Sequence, residues 1–227
     1  MKKIISSIAL AIALSGTVAA QTTTAKASTE GKASTMTPSQ VIDKYFAALG
    51  GKAKMEAVKS LTLENTINAQ GMEINSVTKK MGNKFRSTQS VMGQEMVQVF
   101  DGEKGYMNQM GTKTDFGAEQ VAEMKKGLVM DALAYDATKF SSVTTEKIDG
   151  KDYNVLTSDK GKFYFDAGTG LLYKVTTPQG EAITKSYLTV DGLKFPEVME
   201  ATGMGQNVTI KTTKVTLNSG VTADDFK

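Results

Sequence analysis

Arginine occurs once in this chain of 227 residues, as Arg86, against 26 lysines. A guanidinium grips a carboxylate or phosphate through two parallel hydrogen bonds, a geometry an ammonium cannot reproduce. Arg86 therefore has two readings. It fixes the polar end of a lipid at a cavity mouth, or it pairs with a nearby acid at the rim of the fold. Lys80 carries the same two readings. Histidine and cysteine are absent altogether. That removes the Ser-His-Asp triad, histidine-ligated zinc, thiol nucleophiles, thiolate metal sites and disulfides. Carboxylates remain, but Asp101 and Asp166 each sit at a turn, where a side chain that bonds the following backbone is ordinary turn chemistry. A glycosidase pair would have to converge within roughly 5–10 Å. Asp224-Asp225 reads as a solvated cap. No glycine-rich phosphate loop leads from a strand into a helix, and no cofactor or metal is implied. The residue inventory favours binding over catalysis, with a carboxylate- or lysine-based hydrolase last.

The apolar counterpart of these polar groups is methionine, of which the chain has 13. Met72, Met92, Met96, Met107, Met110, Met124 and Met130 fall within one stretch of strands and the helical segment after it. A flexible, polarizable thioether suits a cavity that accepts ligands of varied shape, and equally suits an irregular core. Met96, Met107, Met124 and Leu128 are the candidates for contact with an apolar ligand, with Arg86 and Lys80 at its polar end.

These residues need elements to hold them. Met1-Lys2-Lys3, the short apolar run from Ile4 to Leu14 and the small residues Val18-Ala19-Ala20 have the order of a cleaved secretory leader. The run is well short of the roughly 20 residues that span a bilayer, so it is no anchor. No cysteine follows for lipidation. Cleavage after Ala20 removes Lys2 and Lys3 and lowers the formal charge from +3 to +1. With lysines interleaved among acids, nucleic acid is excluded as a partner. Residues 21–36 are Thr, Ser, Ala, Lys and Gly with almost nothing to bury, which predicts a flexible linker.

Order begins at Thr37, an N-cap followed by Pro38 and completed by Gln40 as a capping box. Val41, Ile42, Tyr45, Phe46 and Leu49 recur on one helical face until Gly50-Gly51 ends it, and a shorter helical turn covers 52–58. From Leu61 the period becomes two. Turns at Gly71, Gly82-Asn83, Met92-Gly93 and Asp101-Gly102 divide five strands up to Gln109. Phe116 to Lys139 reads as two short helices divided at Gly127. Hairpins then resume around Asp149-Gly150, Asp159-Lys160-Gly161, 167–170 and Asp191-Gly192, and Pro196 marks an edge or a bulge. The expectation is a mainly β chain with helices (α+β). Its sheet is strongly curved or an unclosed antiparallel barrel, covered by an N-terminal helix and a mid-chain helical insert.

Several segments carry a resemblance. Val99-Phe-Asp-Gly-Glu-Lys-Gly-Tyr-Met107 is similar to the hydrophobic-Asp-Gly-x-x-aromatic hairpin of the LolA/LolB-like periplasmic lipoprotein carriers. Lys79-Lys80 and Phe85-Arg86 resemble the basic residues and Phe-Arg pair before it. The tail 219–226 resembles the closing Gly-Val-x-x-Asp-Asp segment, and 163–173 resembles a hairpin of lipoprotein-sorting-like exported proteins. The likeness spans 37–227. It implies an unclosed barrel under a leading helix and a mid-chain helical lid. It also implies a non-catalytic periplasmic carrier for lipoprotein acyl chains or another apolar lipid, acting as a monomer and not integral to the membrane. The chain departs from those carriers in having no tryptophan and in placing Lys80-Met81 where they have arginine before proline, so its cargo is open. A second expectation is an interaction module with a filled core that binds an envelope protein.

Overall fold

The computed structural model describes residues 32–227. The leader and most of the linker lie outside the described residues. The linker's last residues, Lys32–Ala33 (β1), pair with the sheet, and Met36 packs on the core.

Helix α1 (Pro38–Ala48) starts as its sequence predicts. The Thr37 hydroxyl accepts from the Gln40 backbone and the Gln40 side chain accepts from the Thr37 backbone. Val41, Ile42, Tyr45 and Phe46 are buried along one face. Gly50, at φ 115°, turns the chain against the β12–β13 connection, where a Cβ would lie 2.3 Å from the Gly192 carbonyl oxygen. Only glycine allows that approach. Helix α2 (Lys52–Glu56) follows and buries Met55.

The rest is one antiparallel sheet. Its strands are β2 (Ser60–Ala69), β3 (Met72–Met81), β4 (Lys84–Val91), β5 (Gln94–Phe100), β6 (Gly105–Gln109) and β7 (Thr112–Asp115) before the insert, with β8 (Ser142–Ile148), β9 (Lys151–Ser158), β10 (Gly161–Asp166), β11 (Leu172–Thr177), β12 (Gly180–Val190), β13 (Leu193–Gly203) and β14 (Gln206–Leu217) after it. The spatial order is β1-β8-β9-β10-β11-β12-β13-β14-β2-β3-β4-β5-β6-β7, open at β1 and β7. The curved, unclosed sheet is as expected. Strand β7 is an addition: its four exposed residues, Thr-Lys-Thr-Asp, bury nothing and leave no alternation to read. Pro196 sits where β12 and β13 change register, between Thr184 and Tyr187, which is the bulge its missing N–H requires.

The insert is less helical than its composition suggests. Only α3 (Ala118–Met124) is an α-helix, followed by 3-10 turns at Asp131–Ala134 and Ala137–Lys139. Gly127 ends the regular stretch. Beyond it Asp136 bonds the backbone N–H and hydroxyl of Thr138, an alternative that competes with helix propagation.

The core lies between α1, the insert and the inner face of β8–β14 and β2. Tyr45 packs edge-on to Tyr135 (5.5 Å) and Phe165 (5.1 Å), and Phe163 packs edge-on to Tyr135 (5.8 Å) and Phe140 (5.4 Å). Among the described residues no buried side-chain nitrogen or oxygen lacks a partner.

Candidate functional site

Residues paired across antiparallel strands share a face, so the ladder assigns each candidate that lies on a strand to one side of the sheet. Leu61 pairs with Lys80, Lys80 with Phe85, Phe85 with Phe100 and Phe100 with Gly105. Because Leu61 and Phe100 are core residues, this row is the inner face. Two residues further along lie Leu63, Thr78, Ser87, Gln98 and Met107, and beyond them Asn65, Ser76, Gln89, Met96 and Gln109. Met96 and Met107 are thus diagonal neighbours on the inner face, in a wall otherwise made, beyond Leu63, of amides and hydroxyls. A third apolar zone closes the far end, where Ile67, Ala69, Ile74, Val208 and Ile210 cluster.

Arg86 falls on the other side. It pairs with Lys79 and Val99, and Val99 pairs with Tyr106, all on the outer face. There the C-terminal 3-10 turn Ala223–Phe226 lies over β4. Lys79 Nζ is 2.5 Å from Asp225 Oδ1, Arg86 donates to the Asp225 carbonyl (3.5 Å), Tyr106 donates to the Lys227 carbonyl (3.1 Å), and Phe226 is buried. The Lys79 ammonium and then the Thr222 backbone N–H hold the Asp225 carboxyl below its ordinary range. Asp225 caps the turn at Thr222 but is not solvated as its sequence suggests: its side chain is 19% exposed and, paired with Lys79, it anchors the tail. The structure therefore separates Arg86 from Lys80 by the thickness of the sheet and gives Arg86 a clamp on the tail.

Lys80 faces the insert. Its ammonium is 2.5 Å from Asp131 Oδ1, at the start of the first 3-10 turn. A second ion pair, Lys125 Nζ to Glu103 Oε2 at 2.5 Å, ties the end of α3 to the β5–β6 turn. Phe116, at the start of the insert, packs so closely on Gly105 that a Cβ there would lie 2.7 Å from its ring. Helix α3 itself buries none of its residues. Beside it, α2, the β3–β4 turn and the insert enclose a cleft of about 410 Å³. Met55, Val58, Leu128, Val129, Met130 and Leu133 form its apolar walls, with Glu56, Lys59 and Asn83 among the polar residues. Leu128 thus lines a cleft whose insert wall Lys80 ties down. Met124 stands at the end of α3 outside that lining, and Met96 and Met107 lie further down the trough.

Sequence reasoning missed the aromatic cluster of the core because Tyr45, Tyr135, Phe140, Phe163 and Phe165 come from three separate segments. Tyr187 donates to the Leu172 carbonyl at 2.6 Å, and burial pushes its phenol up to about 12. Burial raises Tyr45 and Tyr135 as well, so these phenols stay neutral and act as packing. Asp101 and Asp166 each accept two backbone N–H bonds from the residues that follow, which lower both carboxyls, and they face different turns. Among the described residues no group of three His, Cys, Asp or Glu is placed to hold a metal, and no helix is long and apolar enough to cross a membrane.

No family model and no curated protein matches the chain. Solved structures do match its shape. A domain named for outer membrane lipoprotein sorting from Vibrio parahaemolyticus aligns with a TM-score of 0.56 at 10% identity, over 83% of this chain and 97% of that one. A LolA superfamily protein from Nitrosomonas europaea aligns at 0.54 and 12% identity, over 85% and 98%. A DUF1329 family protein from Desulfovibrio piger aligns at the same values. The fold is LolA-like.

Proposed function

We propose that this chain of LolA-like fold is an exported, non-catalytic carrier that takes one acyl chain or another apolar ligand into the cleft beside the insert. The observation that carries the reading is the cleft itself, walled by Met55, Val58, Leu128, Val129, Met130 and Leu133. About 410 Å³ falls within the roughly 300–1,000 Å³ of small-ligand sites, towards the lower end, which suits a single chain better than a bulky lipid. The first part of the insert is the lid, since α3 buries nothing and is held by ion pairs, whereas Val129 and Met130 beyond it are buried in the core. Lipoprotein acyl chains are the favoured cargo, in line with the lipoprotein-sorting name of one structural relative. The leader assigns the protein to the periplasm, where it works as a monomer.

A second reading, an envelope interaction module, draws on the interior under α1, where interlocking aromatic rings leave the core filled. Titration with a fluorescent acyl probe separates the two. The carrier reading expects saturable binding at about one probe per monomer. Leu128→Asp should abolish it by setting an unpaired charge against the apolar wall, while circular dichroism stays unchanged because Leu128 is 41% exposed. Absence of saturable binding by folded wild-type protein excludes the carrier and leaves the module.

A further inference from the structure

Among the described residues the three most exposed large apolar side chains are Met92, Met110 and Met204, at 90%, 71% and 89%. Each occupies the first position of a two-residue hairpin turn followed by glycine: Met92-Gly93, Met110-Gly111 and Met204-Gly205. Each has a left-handed backbone, with φ of 51°, 52° and 52°. That geometry matches the twist of the flanking strands, and its natural occupants are asparagine, aspartate and glycine. Methionine gains nothing from the conformation and makes no buried contact there.

The topology puts all three tips at one end of the sheet. Strand β2 runs from Ser60 beside α2 to Ala69, so the β2–β3, β4–β5 and β6–β7 turns lie at the end away from the helices. Register places the β11–β12 and β13–β14 turns at that same end. These five tips are Gln70-Gly71, Met92-Gly93, Met110-Gly111, Pro178-Gln179 and Met204-Gly205, and neither they nor the residues immediately flanking them carry a charge. The β9–β10 turn, Asp159-Lys160, is the charged exception at this rim. The opposite rim contrasts with it. Asp101, Glu103, Lys104, Asp149 and Asp191 occupy its turns.

We infer that this methionine-tipped rim, with five uncharged turns, is a docking surface for a lipid bilayer with neutral headgroups. Three apolar tips on three hairpins, two of them neighbours through the β5–β6 pair, offer a protein few apolar contacts to complement. A fluid bilayer interface accepts isolated apolar tips without matching pockets. Apart from Asp159-Lys160, the tips of this rim enter it without the cost of desolvating ions. Docking is reversible, since even one full acyl chain binds membranes only marginally. The inference is independent of what the cleft holds.

The test exploits the turn chemistry. In the triple variant Met92→Asn/Met110→Asn/Met204→Asn each tip becomes Asn-Gly, the preferred sequence for this turn, so the fold is retained and its thermal midpoint does not fall. Flotation with vesicles of neutral phosphatidylcholine should carry the wild-type protein upward, equally at low and high salt. The variant should partition at least about tenfold less. Bound vesicles should also slow peroxide oxidation of these three methionines, read by mass spectrometry. Acyl-probe binding in the cleft should be the same in both proteins, which separates this result from the carrier reading. Equal flotation of variant and wild type overturns the inference. A wild-type protein that does not float overturns it too, and turns attention to a protein partner for the rim.

Discussion

If the insert is a lid, the work needed to lift it follows from what holds α3 down. The helix buries no residue. Its attachments are Lys80–Asp131 and Lys125–Glu103, whose side chains are 18%/75% and 44%/81% exposed. Exposed pairs contribute about 0.2–1 kcal/mol each. The two pairs together therefore contribute about 0.4–2 kcal/mol to holding α3 down, beside the packing of Phe116 on Gly105, so their removal shifts the opening equilibrium about 2- to 30-fold. The perturbation is Asp131→Asn with Glu103→Gln, which removes both pairs with nearly isosteric amides and leaves the apolar walls untouched. Hydrogen exchange of residues 118–127 should accelerate by that factor, while exchange in β9 and β10 stays at its wild-type rate. Raising salt on the wild-type protein should move the same residues in the same direction, because screening weakens exposed pairs. The acyl probe should enter the variant faster. Unchanged exchange in the variant, or acceleration shared by β9 and β10, would refute the lid, since the insert would then open only with the whole fold.

Three further outcomes follow from the same geometry. Arg86→Lys should leave acyl-probe affinity within about twofold of wild type, because Arg86 is on the outer face and its recorded partner is the Asp225 carbonyl. Phe226→Ala should cost about 3 kcal/mol in urea unfolding, at the low end for a buried phenylalanine because a terminal turn can detach. In an ultraviolet alkaline titration Tyr187 should ionise near 12, with Tyr45 and Tyr135 above it. Burial raises these phenols, so their contribution to stability is complete below the ordinary tyrosine range near pH 10 and is lost as pH rises through about 12. Normal ionisation of all tyrosines in folded protein would contradict the packed aromatic cluster.

Local chemistry made much of this molecule readable from its residues. Thr37, Pro38 and Gln40 specify the start of α1, since a capping box involves only neighbouring groups. Glycine turns and alternation locate the strands before and after the insert, because side-chain direction repeats every second residue. Where a segment's state depended on burial elsewhere, reading failed. The insert has helix-forming composition, yet its core contacts come from irregular and 3-10 backbone, where local bonds at Asp136 take over. Strand β7 exists because β6 offers an edge, and nothing within its four residues announces it.

The candidate site divides along the same line. Sequence alone determined that chemistry dependent on histidine or cysteine is unavailable and that Arg86 has no equivalent elsewhere in the chain. It could not determine which way Arg86 faces. Lys79, Lys80, Phe85 and Arg86 look like one basic and aromatic group, but the β3–β4 turn sets their faces, and a shift of one residue would exchange them. Only the ladder puts Lys80 under the insert and Arg86 under the tail. The same holds for the pairing of β14 with β2, which joins the last long strand to the first. Tertiary contact also gathered Met92, Met110 and Met204 at one rim, although they lie far apart in the chain. Turn chemistry is local and written in a few residues. Strand order, face and rim depend on which distant segments pair, and that is settled only when the whole sheet forms.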